Sequence, residues 1–225
     1  MQAGLLEWQT LLAEGALQMG LRLDPHQLDR MARHAQALLE WNRTINLTAI
    51  TDPEQVAVKH FLDAILPSAH IPMEGQLLDI GTGGGFPGIP LKILRPDQPM
   101  TLIDGVRKKI SFVKHVIRQL GLEKIEALHL RAEQLGGHPE NQERFAVIVC
   151  RAVSDLGAMA RLALPLLAPR GKLVLYQGPS DAPRRTDGGA DLGPGMTVEA
   201  SVPYRLPILG DQRTLVVLAK TGKEN

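Results

Sequence analysis

The 225 residues contain one cysteine, Cys150, so no disulfide can close within the chain and a reducing compartment is expected. No apolar run is long enough to span a bilayer, and no basic segment followed by an apolar core stands at the N-terminus. A cytoplasmic protein is expected. The 7 histidines show no metal-ligand spacing, which argues against a metal site. No internal repeat is visible. Net charge is only +1, so no global field recruits a polyanion. The distribution is less even: residues 1–75 carry 5 Lys/Arg against 9 Asp/Glu, and residues 76–225 carry 20 against 15. A polyanion would sooner meet the second part. With 44% hydrophobic residues, the chain can bury a core for one main domain with an appendage.

What the chain does have is glycine in one place. Leu77 to Ile80 is a short apolar run carrying Asp79, and Gly81, Gly83, Gly84 and Gly85 follow it. The run predicts a buried strand, and the glycines a turn whose backbone a ligand can approach closely. Pro87 suits the first turn of a helix with Ile89, Leu91, Ile93 and Leu94 on its apolar side. Gly83, Gly85 and Gly88 alone satisfy G-x-G-x-x-G, a weak signal. Asp79 ahead of Gly81 sharpens it to Asp-x-Gly-x-Gly-x-Gly, the pattern of S-adenosylmethionine (SAM) methyltransferases. Asp104, closing a second strand at Met100–Ile103, can accept hydrogen bonds from ribose hydroxyls. SAM is favoured over NAD.

The first 75 residues predict helices: one over residues 5–19, one capped by Asp24-Pro25, and one capped by Asp52-Pro53 that stops before Pro67. Trp41 to Thr48 lies between the second and third without helical period. From residue 76, strands and helices alternate. Further strands are expected at Ile125–Leu130, Phe145–Cys150 and Leu173–Tyr176. Helices are expected from Asp104 to Leu120, closed by Gly121, and from Asp155 to Leu167. Gly178 to Gly195 suggests a surface loop, and Met196–Val202 with Thr214–Ala219 a terminal antiparallel pair. The expected fold is α/β: a doubly wound, Rossmann-like, seven-stranded sheet of the SAM-dependent methyltransferase type. An N-terminal helical segment (1–75) would pack on that main domain (76–225).

The stretches Leu39-Glu40-Trp41-Asn42-Arg43-Thr44-Ile45-Asn46-Leu47-Thr48 and Val58-Lys59-His60-Phe61-Leu62-Asp63 add to the glycine turn. With Arg151-Ala152-Val153 and Arg213-Thr214-Leu215-Val216-Val217 they spread over most of the chain. In these it resembles the small-subunit ribosomal RNA guanine-N7 methyltransferases, the glucose-inhibited division protein B family. The resemblance implies SAM-dependent methylation of the guanosine at position 527 of 16S rRNA, free or within a small-subunit particle, by a monomer. Carried over by position, it implies SAM contacts at Gly81, Phe86, Ala132, Glu133 and Arg151, to which the physical argument adds Asp79, Gly83, Gly85 and Asp104. Two positions depart from the family: Cys150 stands where Ser is usual, and Gln177 where Lys is frequent, which removes a candidate substrate contact.

The remaining candidates concern substrate. Arg151 ends the fourth strand at the ligand edge of the sheet and is the expected catalytic residue; the alternative is an ion pair with a carboxylate such as Asp155. Lys59 and His60 are expected RNA or base contacts. Arg107, Lys108, Lys109, Lys114 and Arg118 form a basic cluster, with 107, 114 and 118 on one helical face. It could be a phosphate track or a solvated surface. Cys150 could serve as the nucleophile of a pyrimidine C5 enzyme, but the continuous apolar run before it argues for a small buried residue. The Asn/Asp-Pro-Pro-aromatic motif of amine methylation is absent from 150–155, which reads Cys-Arg-Ala-Val-Ser-Asp. The rival outside enzymology is a non-catalytic nucleotide-binding, RNA-associated module; within it, methylation of another base atom.

Overall fold

The computed structural model describes residues 2–151, 155–178 and 192–221. Ala152 and Val153 of the family stretch, and most of the loop expected at Gly178–Gly195, lie outside them. The chain opens with α1 (Gln2–Gln18) and α2 (Pro25–Asn42). Reciprocal capping starts α2: Asp24 accepts from the Gln27 N–H at 2.8 Å, and the Gln27 side chain accepts from the Asp24 N–H at 2.9 Å. Helix α2 takes in Trp41 and Asn42, and the Asn42 side chain then organises the aperiodic stretch that follows. Its oxygen accepts from the Leu47 and Thr48 N–H groups at 2.8 and 3.0 Å, and its amide donates to the Thr48 carbonyl at 2.9 Å. Asp52 caps α3 (Pro53–Val56) by accepting from the Gln55 N–H at 2.9 Å. In place of the single regular helix expected here, α3 passes through a π-helical turn (Ala57–Leu62) into α4 (Asp63–Ile65).

Seven strands follow: β1 (Leu77–Ile80), β2 (Met100–Ile103), β3 (Ile125–Leu128), β4 (Phe145–Arg151), β5 (Leu167–Gln177), β6 (Met196–Arg205) and β7 (Gln212–Lys220). They form one sheet in the order β3-β2-β1-β4-β5-β7-β6, parallel except for β7, which runs antiparallel to both β5 and β6. The connecting helices are α5 (Gly88–Leu94), α6 (Arg107–Leu120), α7 (Ala132–Gly136) and α8 (Leu156–Ala163). Gly121 closes α6 in the left-handed conformation (φ 59°), as its sequence position suggests. One boundary differs from expectation. Helix α8 ends at Ala163, and β5 begins at Leu167, pairing with Phe145 before the register shifts and Val147 meets Lys172. Pro169, with no N–H to donate, sits in that irregular portion, where the ladder does not need it.

The strand order places a topological switch between β1 and β4: the chain builds outward from β1 through β2 to β3, then returns to β4 and builds the other way. Ligands of open α/β sheets bind at the carboxyl ends of such strands. Alternation along β1 divides the core. Leu77 faces a cluster with Trp8, Met31, Phe61, Phe86 and Phe112, so the N-terminal helices, α5 and α6 share one face of the sheet. Leu78 and Ile80 face the other, with Ile148, Leu156 and Leu166. Trp8 fastens α1 by stacking edge-on to Phe61 at 5.2 Å and donating to the Pro53 carbonyl at 3.0 Å. No helix among the described residues is long and apolar enough to cross a membrane.

Helix α2 is tied to the glycine turn by His34, which falls in period with Met31 and Leu38 and is fully buried. Its Nε2 lies 2.8 Å from the Gly84 carbonyl. A carbonyl only accepts, so the proton sits on Nε2, and Nδ1 is a buried lone pair with no hydrogen-bond partner among the described residues. Burial lowers the His34 pKa from 6.5 to about 4, against the partial rise from the Gly84 carbonyl. The unfolded chain therefore takes up this proton first. The stability tied to neutral His34 is complete above pH 6.5 and is lost as pH falls toward 4, in total about 3 kcal/mol. Asp79, raised by burial to about 6, acts in the opposite sense over part of that window, so a whole-protein acid profile mixes the two. Comparison with His34→Gln separates them. Denaturant unfolding should show the stability difference moving in the variant's favour by about 3 kcal/mol between pH 7 and pH 4. A pH-independent difference would mean that His34 does not titrate there.

Candidate active site

The turn after β1 is closed from below. Asp79 is fully buried, and its Oδ2 accepts from the Thr82 hydroxyl at 2.7 Å and the Gly88 N–H at 2.9 Å. From the neighbouring strand, the Ile103 carbonyl accepts from the Gly81 and Thr82 N–H groups at 2.9 and 3.0 Å. Asp104 completes the frame: Oδ2 accepts from the Gly83 N–H at 3.0 Å and Oδ1 from the Val106 N–H at 2.8 Å. The structure thus places Asp79 beneath the turn, where it shapes the backbone and has no surface to offer a ligand. Asp104 stands at the carboxyl end of β2 and links the turn to the following strand.

The glycines divide into two kinds. Gly84, Gly85 and Gly88 are packing positions: an added Cβ would come within 2.9 Å of Leu38 Cδ1, 2.6 Å of Ile89 Cδ1 and 2.7 Å of Asp79 Oδ2, respectively. Gly85 therefore lets α5 and His34 close on the turn. Gly81 and Gly83 have positive φ, 71° and 57°, and a Cβ there would enter open space, the nearest atom being the Gly81 carbonyl oxygen at 3.9 Å from a Cβ on Gly83. These two keep a cradle clear at the carboxyl ends of β1 and β2. That geometry fits SAM, which has no pyrophosphate to fill a helix N-terminus and needs room for its amino acid and ribose portions.

Beside the cradle, the Phe86 ring is stacked between His34 and His60, each centroid 4.8 Å away with planes within 18° of parallel. The Arg151 guanidinium lies over the same ring, 5.5 Å from its centroid. Its NH1 donates to the Lys59 carbonyl at 3.3 Å and pairs with Asp63 at 3.4 Å; its NH2 is 3.3 Å from His60 Nδ1. Arginine can only donate, so His60 Nδ1 accepts and the ring proton is on Nε2, which donates to the Thr48 hydroxyl at 2.8 Å. Burial, and then the Arg151 charge, lower the His60 pKa to about 3. His60 is neutral at physiological pH. Thr48, His60, Phe86 and Arg151 line a pocket of about 150 Å³ with Gly81 to Gly84. The partner of Arg151 is Asp63, and Asp155 instead caps α8 by accepting from the Ala158 N–H at 2.9 Å.

Other candidates are spread along the same edge. Ala132 opens α7 and packs with Ile80 and Ile103, with Glu133 exposed beside it. Lys59 Nζ pairs with Asp211 at 3.3 Å. Arg107, Lys108, Lys114 and Arg118 are exposed on α6, whose first turn adjoins Asp104. Lys114 and Arg118 also line an open groove of about 550 Å³ against the edge strand β3. Cys150 is buried, with Sγ 3.1 Å from the Ile80 carbonyl, and burial together with the Asp79 charge pushes its pKa up to about 12. A thiol so placed is no nucleophile. Among the described residues no three His, Cys, Asp or Glu side chains gather as a metal site.

Thr82, His34, Asp63, Tyr204 and Arg213 join this site without a distinct chemical signal in the sequence. His34 looks like a core position of α2, and Asp63 stands in a family stretch with no role attached.

The sequence profile described as rRNA small subunit methyltransferase G matches residues 27–188. A protein of that name from Geobacter sp. (strain M21) is 44% identical over 93% of this chain and 96% of its own length. One from Deinococcus radiodurans is 42% identical over 93% and 84%. Among solved structures, a SAM-dependent methyltransferase from Aquifex aeolicus superposes with a TM-score of 0.56 at 17% identity, covering 76% of this chain and 94% of that one. Such a likeness speaks for the fold. The glycine cradle, the sheet order and the length of the match agree, and the chain belongs to the rRNA small subunit methyltransferase G family, with SAM as its cofactor.

Proposed function

We propose that this protein methylates N7 of a guanine in 16S rRNA, the guanosine at position 527, acting as a cytoplasmic monomer on RNA presented in a small-subunit particle. The observation that carries the reading is one pocket in which the open cradle of Gly81 and Gly83 meets Arg151 and a neutral His60. Bound SAM supplies an electrophilic methyl on a sulfonium. Gly81 and Gly83 admit it, with Asp104, Ala132 and Glu133 along the rim toward β3. Arg151, held over Phe86, orients the incoming base and stabilises its electron-rich edge. Guanine N7 carries no proton, so its in-plane lone pair attacks without a general base. The residues around the pocket suit that chemistry: His60 is neutral, the Cys150 thiol stays protonated, and Asp79 is sealed under the turn. A base flipped from its stack would reach the pocket while phosphates run along the basic face of α6.

The cofactor reading is tested at Gly83. Calorimetry should show that Gly83→Val abolishes binding of both SAM and S-adenosylhomocysteine. Gly121→Val, at a similarly positive φ of 59° with open space around it, bears the same backbone strain away from the cradle and should bind normally. Equal losses in both variants would assign the effect to strain and overturn the role of the cradle in SAM binding.

The chemistry is tested by single-turnover methyl transfer, which avoids masking by product release. Cys150→Ser should retain most of the rate. Arg151→Ala should lose on the order of 100-fold while staying folded. The wild-type rate should be flat from about pH 7 to 9, because no group must gain or lose a proton in the step. A steep rise with pH that Cys150→Ser abolishes would establish the cysteine mechanism instead.

RNA binding is tested on α6. Lys114→Glu with Arg118→Glu should weaken RNA affinity and flatten its salt dependence by about two charges' worth, leaving SAM affinity intact. Unchanged affinity would make this face an ordinary solvated surface.

A further inference from the structure

Five charged side chains around the pocket close into a ring. Lys59 Nζ pairs with Asp211 at 3.3 Å, and Asp211 with Arg213 at 3.6 Å. Arg213 pairs with Asp63 Oδ1 at 3.6 Å, and Asp63 Oδ2 with Arg151 at 3.4 Å. Arg151 closes the circuit on the Lys59 carbonyl at 3.3 Å. The ring joins three parts of the chain distant in sequence: the π-helical turn, the end of β4 and the β6–β7 hairpin. Asp63 is its centre. It is buried, it pairs with both arginines of the ring, and the Tyr204 hydroxyl donates to its Oδ1 at 2.7 Å.

The irregular helix explains how Asp63 and Arg151 come to share the Lys59 carbonyl's neighbourhood. The Asp63 N–H bonds the Val58 carbonyl, five residues back, so it does not take the Lys59 carbonyl as a regular α-helix would. That oxygen accepts from Arg151 instead. Asp63 also sets the charge of the pocket wall. A carboxylate next to Arg151 balances a cation that faces the place where a sulfonium must bind, and the ring as a whole keeps three cations against two anions.

We infer that Asp63 is the positioning residue for Arg151, fixing its guanidinium over Phe86 and coupling its orientation to the β6–β7 hairpin through Tyr204 and Arg213. This rests on the reading of Arg151 as the residue that meets the substrate base. Asp63→Asn is the direct test, because the amide oxygen can still accept from Tyr204 while the charge that holds Arg151 is gone. Single-turnover methyl transfer should fall about 10- to 100-fold with RNA and SAM dissociation constants within about 2-fold of wild type. In an Arg151→Ala background the same change should cost less than about 2-fold, since the group it acts through is absent. Tyr204→Phe, which loosens Asp63 without altering charge, provides a second variant should Asp63→Asn unfold; its smaller loss of rate should likewise vanish in the Arg151→Ala background. An unchanged rate in Asp63→Asn, or equal losses with and without Arg151, would overturn the inference. A wild-type rate in Arg151→Ala would instead overturn the role given to Arg151 above, so the two failures are distinct.

Discussion

The Asp79 carboxylate, sealed from water beneath the glycine turn, bonds the Thr82 hydroxyl on one limb and the Gly88 N–H on the other. The glycine turn, around which the rest of the site is arranged, is held in shape by this cross-link. Burial of a charge is costly, and its price shows in a pKa raised to about 6 and in an Oδ1 that finds no hydrogen-bond partner among the described residues. The return is a turn of fixed shape: with both limbs held from below, Gly81 and Gly83 keep their cradle open and Phe86 is delivered to a defined place. Thr82 and Gly88 are thus needed as much as the carboxylate. A side chain at position 88 would strike the same Oδ2 at 2.7 Å.

The N-terminal helices act on that turn as a second wall. His34 reaches it from α2, His60 from the π-helical turn, and the two rings hold Phe86 between them. Both histidines are neutral for the same reason, burial. Two imidazolium cations flanking Phe86 would repel each other and Arg151. The aperiodic stretch after α2 closes the pocket from above, because Asn42 folds it back and Thr48 then receives the His60 proton donor.

Much of this was legible in the residues. Apolar runs bounded by turn chemistry located all seven strands, and the Asp24-Pro25 and Asp52-Pro53 caps located two helix starts to the residue. The glycine cluster marked the site because two of its members, Gly81 and Gly83, sit at positive φ with open space beside them. Long-range partnership was not legible. Asp79 looked like a ligand contact because a carboxylate beside a glycine turn can face either way, and only the fold decides which. Gly85 resembled Gly83 in sequence and proved to serve packing. Arg151 had Asp155 as its near neighbour in sequence, but helix α8 claimed that carboxylate for its cap, and Asp63, 88 positions away, took the arginine. The extent of β5 was missed because Pro169 and Gly171 signalled a break, whereas the strand absorbs them in an irregular register.

Charge conservation links the architecture to the proposed chemistry. Methyl transfer from a sulfonium to guanine N7 begins with one positive charge on the cofactor and ends with one on the base. The pocket therefore needs no group that changes its own charge; it needs walls whose charge stays constant while the cation moves. Neutral histidines, a protonated thiol within the sheet and an arginine balanced by Asp63 meet that requirement at one working pH. Were His60 to carry a proton, a second cation would lie 3.3 Å from Arg151 and repel it. Burying the imidazole prevents this, and the aromatic stack is the means by which the sequence buries it.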